Sequence, residues 1–463
     1  MKSNRISNSR SGATMVIVMM ITVICTAVII GVLFITSVRV SRAYDLVHLE
    51  QAFYLAEAGI ERASAWINEK LGTGQETVFT EEIGPGKYVV HIKMDDNSPD
   101  SYNVYATGTV HKVSRAITVH GMQFVSWSQF ALWYDKESPS GLWITPGEVF
   151  SGRVYSRPLM KFSRTGLNTI GSDGKRRGPA LFTEKVETYQ RRIEYETGAY
   201  PTLEKGIDMG VALQSMASVN FDQMRDRASY LETSGKGLLL EGNVTIELDG
   251  TTMTIKSTNV ADRQAAGKPV VNRTIRGHEI NLVYAKNYPT YSYTYYDERG
   301  RRQTKRVTES GNISIAAPNG FTGDMSIVAQ NDVRIIDHVR YTDNPQTNPD
   351  STDKLGLIAK NNVTVQTVTP AAPNNLEIYA HIFSKEGGFG VENYDTGSFR
   401  GDLFVYGGIA NDIRRAVGTF ATDGTGKRTG YNKQYFFDER FKRQRPMNYP
   451  YTRTELTYNE WEG

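Results

Sequence analysis

Side chains that can bind a metal or move protons are scattered along this sequence. The seven histidines include His91, His111 and His120, but strand histidines are more often surface residues than zinc ligands. Acidic connections at Asp95–Asp100 and Asp343–Asp353 lack the spacing of a calcium loop and are predicted to be solvated turns. The sequence has no P-loop, HExxH, CxxC, GxSxG or EF-hand motif. We therefore predict no metal, no cofactor and no enzymatic activity.

Basic clusters offer a different chemistry, the binding of an anionic surface. They occur at Lys175–Arg177, Arg299–Arg306 and Arg440–Arg445, with tyrosines interleaved at Tyr291–Tyr296. Such clusters can contact an acidic glycan, DNA or the cell envelope, but more often they are solvated hairpin tips. Lys and Arg total 53 against 50 Asp and Glu, a net charge of +3. This near balance does not predict a dedicated nucleic-acid-binding protein.

Length and composition limit the elements that position these residues. At 463 residues, the chain predicts two or more units or one elongated unit. The 42 glycines and 26 tyrosines favour strands and turns over helices. The single cysteine, Cys25, excludes an internal disulfide, and we expect it to be a small apolar residue facing lipid or a neighbouring helix.

A long apolar segment near the N-terminus predicts a membrane span. Ser11–Val38 contains no charged residue, and the 26 residues of Ala13–Val38 exceed the about 20 needed to cross a bilayer as a helix. A secretory signal peptide has a shorter apolar core. The preceding leader carries Lys2, Arg5 and Arg10 without an acid. The positive-inside rule therefore predicts a cytoplasmic N-terminus and an extracytoplasmic C-terminal region.

The helical pattern continues beyond this span. Apolar residues recur at three- and four-residue steps from Val40 to Leu71, which is the spacing of one buried helix face. Gly72-Thr-Gly74 is a predicted stop. A continuous helix over Ala13–Leu71 would be roughly 90 Å long, half in lipid and half against a soluble domain.

These features resemble the N-terminal region of type IV prepilins. The similarity covers about residues 8–70, and Gln51–Ala63, with its Ala-Glu-Ala-Gly run, resembles the minor-pilin branch. The resemblance implies that a membrane prepilin peptidase cuts after Gly12 and leaves Ala13 as the new N-terminus. It also implies other pilin-like subunits as partners. The family segment that would pack the helix consists of Ala52, Phe53, Ala56, Glu57, Ala58 and Gly59.

One position departs from the prepilin pattern. Most family members have a glutamate five residues into the mature chain, whereas this chain has Ile17. A carboxylate in lipid is tolerated when it pairs with the N-terminal amine of a neighbouring subunit. Its absence resembles the K-type pseudopilin at a filament tip. For Glu57 and Glu61, a solvated position on the helix surface is the simpler interpretation.

The first soluble segment, residues 73–125, predicts an antiparallel meander of three or four strands. Apolar and polar residues alternate in Tyr88–Met94, Tyr102–Val110 and Ala116–Phe124. The amphipathic half of the preceding helix would cover the apolar face of this sheet. The pilin resemblance implies the same architecture.

A sequence repeat dominates the second soluble segment. Met325–Ile335 aligns without gaps to Leu355–Val365 at an offset of 30, with Asn331 matching Asn361. Related pairs join Gly242–Ile246 to Gly311–Ile315 and Leu376–Ile382 to Leu403–Ile409. Short strands of this kind bury their apolar faces only when stacked. The repeat predicts a parallel β-helix over residues 126–430, with Asn331 and Asn361 in left-handed conformation; a chance similarity within an antiparallel sandwich is the alternative.

Two segments interrupt the predicted β-helix, and another follows it. Gly210–Leu231 predicts a helix, and Tyr291–Arg306 predicts a hairpin around Asp297–Gly300. The end of the chain resembles the terminal signature of an uncharacterised bacterial extracytoplasmic domain. Its aromatic residues and prolines predict a cap over the last strand.

The sequence thus predicts an α+β region followed by an all-β region, with the long N-terminal helix packed on a small antiparallel sheet. The predicted parts are a basic leader (1–12), transmembrane helix (13–38), amphipathic continuation (39–72), pilin-like sheet (73–125), β-solenoid head (126–430) and C-terminal cap (431–463). This organisation favours a minor pilin or pseudopilin of a pilus-like or type II secretion-like filament in the bacterial inner membrane. An anchored glycan-binding or glycan-cleaving β-helix and an unrelated single-pass receptor remain alternatives.

Overall fold

A computed structural model describes residues 10–70, 76–95, 98–136, 142–168, 176–213, 216, 219–368, 370–420, 427–457 and 460–462. The chain forms two compact units. The first comprises Met1–Gln123 and Leu456–Gly463, and the second comprises Phe124–Glu455. A long apolar helix is thus followed by largely β-structured parts.

The first unit begins with one helix, α1 (Arg10–Lys70). Thr22, Thr26 and Thr36 donate their hydroxyls to the carbonyl four residues earlier, so these polar side chains are satisfied within the helix. The segment Thr14–Ile67 is long and apolar enough to cross a membrane. The predicted stop at Gly72–Gly74 lies outside the described residues.

An antiparallel sheet follows the helix and confirms the predicted meander. Each strand pairs with the next along the chain, because short turns join them. Two C-terminal segments, Tyr451–Thr457 and Glu460–Glu462, extend this sheet beside its fourth strand, a pairing that the sequence did not indicate. The four sequential strands are β1 (Thr77–Ile83), β2 (Gly86–Asp95), β3 (Ser98–Val110) and β4 (Val113–Ser126).

The second unit consists mainly of short strands. Its helices are α2 (Phe221–Glu232) and α3 (Val260–Ala265), with 3-10 turns at Trp127–Gln129 and Glu439–Lys442. The strands are β5 (Phe130–Lys136), β6 (Val149–Ser151), β7 (Arg153–Ser156), β8 (Lys161–Phe162), β9 (Leu181–Phe182), β10 (Val186–Thr188), β11 (Glu194–Tyr195), β12 (Thr202–Leu203), β13 (Ile207–Met209), β14 (Gly237–Glu241), β15 (Val244–Asp249), β16 (Thr252–Ser257), β17 (Asn272–Ile275), β18 (Leu282–Lys286), β19 (Tyr288–Tyr296), β20 (Arg302–Glu309), β21 (Ile313–Phe321), β22 (Asp324–Ala329), β23 (Val333–Tyr341), β24 (Lys354–Ala359), β25 (Val363–Val365), β26 (Leu376–Ser384), β27 (Phe389–Val391), β28 (Phe399–Ile413), β29 (Gly418–Phe420) and β30 (Lys427–Phe437).

Most of these strands pair in parallel. One ladder runs β14-β18-β22-β24-β26-β28-β5-β7-β10-β13, with every neighbouring pair parallel. A second ladder runs β15-β21-β23-β25-β27, and a third runs β28-β30-β6-β9-β12. Apolar side chains from all three ladders meet in one core. The order is not that of the chain, since β5, which comes first in sequence, pairs with β28.

The sequence repeats coincide with this pairing. At the offset of 30, Met325 pairs with Leu355 and Val333 with Val363. The related pairs also hold, with Leu376 opposite Leu403 and Val244 opposite Ile313. Identical or similar apolar side chains therefore stack on one another, as the repeat predicted.

Polar turn residues also stack, but not in the predicted way. Neither Asn331 nor Asn361 has a positive φ. The Oδ1 atoms of Asn312, Asp332 and Asn362 instead accept hydrogen bonds from the backbone N–H of Asp332, Asn362 and Gly388, at 3.0, 2.9 and 3.2 Å. Each turn therefore orients the next through a side-chain oxygen.

The aromatic residues near the C-terminus lie elsewhere than the sequence indicated. We expected them to cover the last strand, yet β30 has neighbours on both edges, β28 and β6. Phe441 and Tyr449 are buried and contact His381. This segment therefore contributes an interior strand and a lateral aromatic cluster.

Two predicted insertions are present in the second unit. The predicted helix is shorter than Gly210–Leu231 and begins at Phe221, because Asn220 caps its first amides. The predicted hairpin is formed by β19 and β20, which pair antiparallel.

Candidate functional site

The N-terminal helix carries the residues that the sequence singled out. Gly12 and Ala13 lie in its first turns, while residues 1–9 of the basic leader lie outside the described residues. Cleavage between Gly12 and Ala13 stays a prediction. The side chain of Ile17, at the position of the family glutamate, is exposed on an apolar helix surface.

The family segment faces the sheet of the first unit with its smallest residues. Ala52, Ala56 and Gly59 are fully buried and recur at four- and three-residue steps along one helix face. Phe53, Glu57 and Ala58 are half-buried beside them, whereas Glu61 is exposed. Small side chains on this face allow the helix to approach the sheet closely.

The distances of this approach explain the residue types. A Cβ placed on Gly108 of β3 would lie 2.0 Å from the carbonyl oxygen of Ala52 and 2.7 Å from the amide nitrogen of Ala56. A Cβ on Gly59 would lie 2.9 Å from a methyl carbon of Val90. All three separations are shorter than those of real Cβ contacts. Sequence inspection did not select Gly108, although a glycine inside a strand signals close approach of another backbone.

Tyr88 on β2 has a phenol whose pKa is raised. Tyr88 donates its hydroxyl to Glu81. Burial and this hydrogen bond to a carboxylate raise the pKa of Tyr88 to about 12. The phenol therefore stays neutral at physiological pH and anchors β1 to β2.

A second face of α1 is apolar and exposed. Val40, Tyr44, Val47 and Tyr54 each expose about half of their surface or more. Steps of four, three and seven residues place them along one stripe. This stripe lies on the amphipathic continuation, and nothing in the described part of the first unit covers it. An exposed apolar stripe of this spacing is typical of helices that pack on other helices.

The histidines of the sheet do not converge. His111 lies against His48 of α1, with ring centroids 4.8 Å apart, and His120 lies against Tyr105. Among the described residues, no group of three or more His, Cys, Asp or Glu side chains is arranged to hold a metal ion.

The acidic loop Asp343–Asp353 is more ordered than a solvated turn. Asp353 is buried and accepts hydrogen bonds from the backbone amides of Gly323 and Asp343, at 2.9 and 3.0 Å. Its carboxylate thus organises the loop, and the expectation of a solvated turn is wrong for this residue. For the other acidic connection, Asp95–Asp100, residues 96 and 97 lie outside the described residues.

The basic clusters occupy three different environments. Arg440 is paired with Asp438 and donates to the carbonyls of Ser351 and Asp353, which is a structural role. On the hairpin, Arg301 pairs with Asp297. Arg176 and Arg177 border a groove, while Lys175 lies outside the described residues.

A buried ion pair stabilises the second unit. Arg263 on α3 and Glu309 on β20 are both about fully buried, with Nη2 2.8 Å from Oε2 and Nε 2.9 Å from Oε1. Tyr291 donates to the same carboxylate at 2.7 Å. Burial alone would raise the pKa of Glu309, but hydrogen bonds from Arg263 and Tyr291 and the Arg263 charge lower it below its usual value.

A buried histidine links the lateral aromatic cluster to the ladder. His381 hydrogen-bonds through Nδ1 to the Tyr449 hydroxyl and through Nε2, at 3.0 Å, to the Phe130 carbonyl oxygen. Burial lowers its pKa to about 3. Sequence inspection missed both His381 and the Arg263–Glu309 pair.

Comparison with known proteins finds matches among solved structures. No protein-family model and no curated protein matches the chain. Among solved structures, the chain is similar to the competence-associated pilin ComZ from Thermus thermophilus, with 12% sequence identity, 90% of this chain and 97% of that chain covered, and a TM-score of 0.31. A TM-score this low does not establish a shared fold or function.

Proposed function

We propose that this chain is a membrane-anchored minor pilin or pseudopilin that takes part in assembling a type IV pilus-like or type II secretion-like filament. One observation carries the proposal. A single helix of 61 residues begins as an uncharged apolar span and continues as an amphipathic helix whose small residues pack on an antiparallel sheet. A simple membrane anchor does not require this continuation.

Assembly would proceed by packing of α1 against the helices of other pilin-like subunits. The stripe of Val40, Tyr44, Val47 and Tyr54 supports this, because it prolongs the apolar surface of the span beyond the length that lipid can cover. Two different faces of α1 would then have two roles. The face with Ala52, Ala56 and Gly59 holds the sheet, and the stripe binds neighbouring subunits.

The proposed location is the bacterial inner membrane, with the N-terminus in the cytoplasm and the second unit in the periplasm or outside the cell. The cations of the leader support this orientation. Ile17 in place of the family glutamate supports a position at the filament tip, since a tip subunit has no preceding amine to pair with.

For the second unit, we propose a parallel β-helix head. Three observations support it: the parallel ladders, the common apolar core and the stacked turn oxygens of Asn312, Asp332 and Asn362. Displaying this head outside the cytoplasm would be a structural role.

Processing of the N-terminus tests the proposal. The full-length chain is expressed in a bacterial membrane with and without an active prepilin peptidase, and its mass and N-terminal sequence are measured. We expect the peptidase to yield a chain that begins at Ala13, and Gly12→Leu to block this cleavage while Ser11→Ala does not. Retention of Met1–Gly12, under conditions in which a known prepilin is cut, would contradict the proposal.

Crosslinking tests the stripe. A photoreactive residue replaces Tyr44 or Val47, and a control carries it at Glu82, an exposed position on β1. When the chain is produced together with the other subunits of one filament system, we expect the stripe positions to capture a pilin-like chain and the control not to. Equal capture from all three positions would refute packing through this stripe.

A further inference from the structure

A groove on the second unit belongs to neither the helix nor the ladder core. Its volume is about 370 Å³, which is within the range of small-molecule sites. Arg176, Arg177 and Gly147 form one wall, and Asp402, Asn432 and Gln434 form the floor. Arg176 and Arg177 belong to one of the three basic clusters found in the sequence.

The floor is built by strands paired in register. Asp402 of β28 lies opposite Asn432 of β30, and the Asn432 Nδ2 donates to Asp402 Oδ1 at 2.8 Å. Gln434 follows two residues later, on the same face of β30. Neighbouring strands are about 4.8 Å apart, a spacing close to the length of one sugar ring in an extended glycan. Polar groups on adjacent strands can thus meet successive sugars.

The wall is held by backbone hydrogen bonds. The amide of Gly147 donates to the Gly178 carbonyl at 2.9 Å, and that of Asn168 donates to the Arg177 carbonyl at 2.9 Å. Gly147 has a φ of +80°, and a Cβ on it would lie 3.2 Å from Cγ of Arg177. The aliphatic stem of Arg177 therefore lies directly over Gly147. Within the described parts of the chain, neither Arg176 nor Arg177 forms an ion pair.

The wall offers positive charge and the floor offers neutral and acidic hydrogen-bonding groups. Together these groups indicate the kind of ligand that the groove can bind. Guanidinium groups bind carboxylates in bidentate fashion. Asp402, Asn432 and Gln434 offer the acceptors and amide donors that sugar hydroxyls need. We propose that this groove binds a uronate-containing glycan, with a carboxylate at Arg176 and Arg177 and hydroxyls over the floor. The Asp402 carboxylate can accept hydrogen bonds from sugar hydroxyls, which a phosphate backbone does not offer.

Titration of the full-length chain in a non-ionic detergent with a galacturonate trimer tests this proposal. We expect saturable binding by calorimetry, and binding of a neutral glucose trimer at least about tenfold weaker. Arg177→Gln should weaken trimer binding about tenfold, and Arg177→Lys should restore only part of it, because an ammonium lacks the bidentate geometry. Gln434→Ala should weaken binding by a smaller factor. Arg192→Gln, at an exposed arginine outside the groove, should leave it unchanged.

Three results would overturn the proposal. The first is no saturable binding of the uronate trimer at millimolar concentration by a chain whose circular dichroism and melting temperature are normal. The second is an equal loss of binding in Arg177→Gln and Arg192→Gln. The third is duplex DNA binding more tightly than the trimer and losing that binding in Arg177→Gln. None of these results bears on cleavage after Gly12, so this site and the filament role fail separately.

Discussion

The two units of this protein bury apolar surface by opposite means. In the first, a helix approaches a sheet so closely that Gly108 has no room for a side chain, and small residues on the helix make the contact. In the second, medium-sized apolar side chains such as Leu376 and Leu403 stack in register on parallel strands. The close contact of α1 with the sheet therefore depends on small residues, whereas the core of the second unit depends on repeated apolar side chains.

The largest expected effect comes from breaking the buried Arg263–Glu309 ion pair, which is not part of the repeated strands of the second unit. Arg263→Met would leave the Glu309 carboxylate buried without its partner and lower the free energy of unfolding by about 3–5 kcal/mol. Hydrogen exchange by mass spectrometry on the full-length chain would show lost protection in the second unit only. Arg273→Met, at an exposed arginine, is the control. A normal protection pattern in Arg263→Met would show that stacking alone holds this region.

Acid should destabilise the second unit through His381. Its pKa is about 3 in the folded chain and about 6.5 when unfolded, so the unfolded state binds more protons between these values. Stability should therefore fall as pH decreases from about 6.5 towards 3, by up to about 1.4 kcal/mol per pH unit. Unfolding midpoints from pH 7 to 4 would be compared with those of His381→Gln, whose profile should be flatter. Parallel profiles would exclude this histidine as the cause.

For the first unit, Gly108→Ala should cost about 1–3 kcal/mol, because the new Cβ overlaps backbone atoms of α1. Hydrogen exchange should increase in residues 49–67 and 86–110 but not in the second unit. Gly31→Ala is the matched control, since a Cβ there meets nothing within 4 Å. Tolerance of alanine at position 108 would mean that the helix and sheet adjust freely.

The smallest effect should come from the stacked turns. Asp332→Ala removes the acceptor of the Asn362 amide and should cost about 1 kcal/mol. Asp350→Ala, at an exposed loop position, should change the melting temperature less. Equal melting temperatures of the two variants would mean that the turn oxygens do not stabilise the ladder.

Repetition also decided what the sequence could predict. Periodic patterns in the sequence indicated the offset of 30 between Met325 and Leu355, the meander and the long helix. The structure confirms the two strand pairings and the helix. The contact between Arg263 and Glu309 spans 46 positions without any periodicity, so no pattern announced it. Strands β5–β13 are mostly two to four residues long, too short to show a period. On α1, the sequence singled out Ala52, Ala56 and Gly59 as part of the family segment, but it did not indicate Gly108, which lies against Ala52 and Ala56.

The pairing of β5 with β28 has a consequence for folding during synthesis. Leu132 emerges early and Ile409 very late, yet they are strand neighbours. During synthesis from the N-terminus, β5 can pair with β7 early, but its other edge has no partner until β28 has been made. Long-range pairing of this kind slows folding and leaves strand edges open to aggregation. A chain truncated before β28 would therefore leave this edge of β5 unpaired.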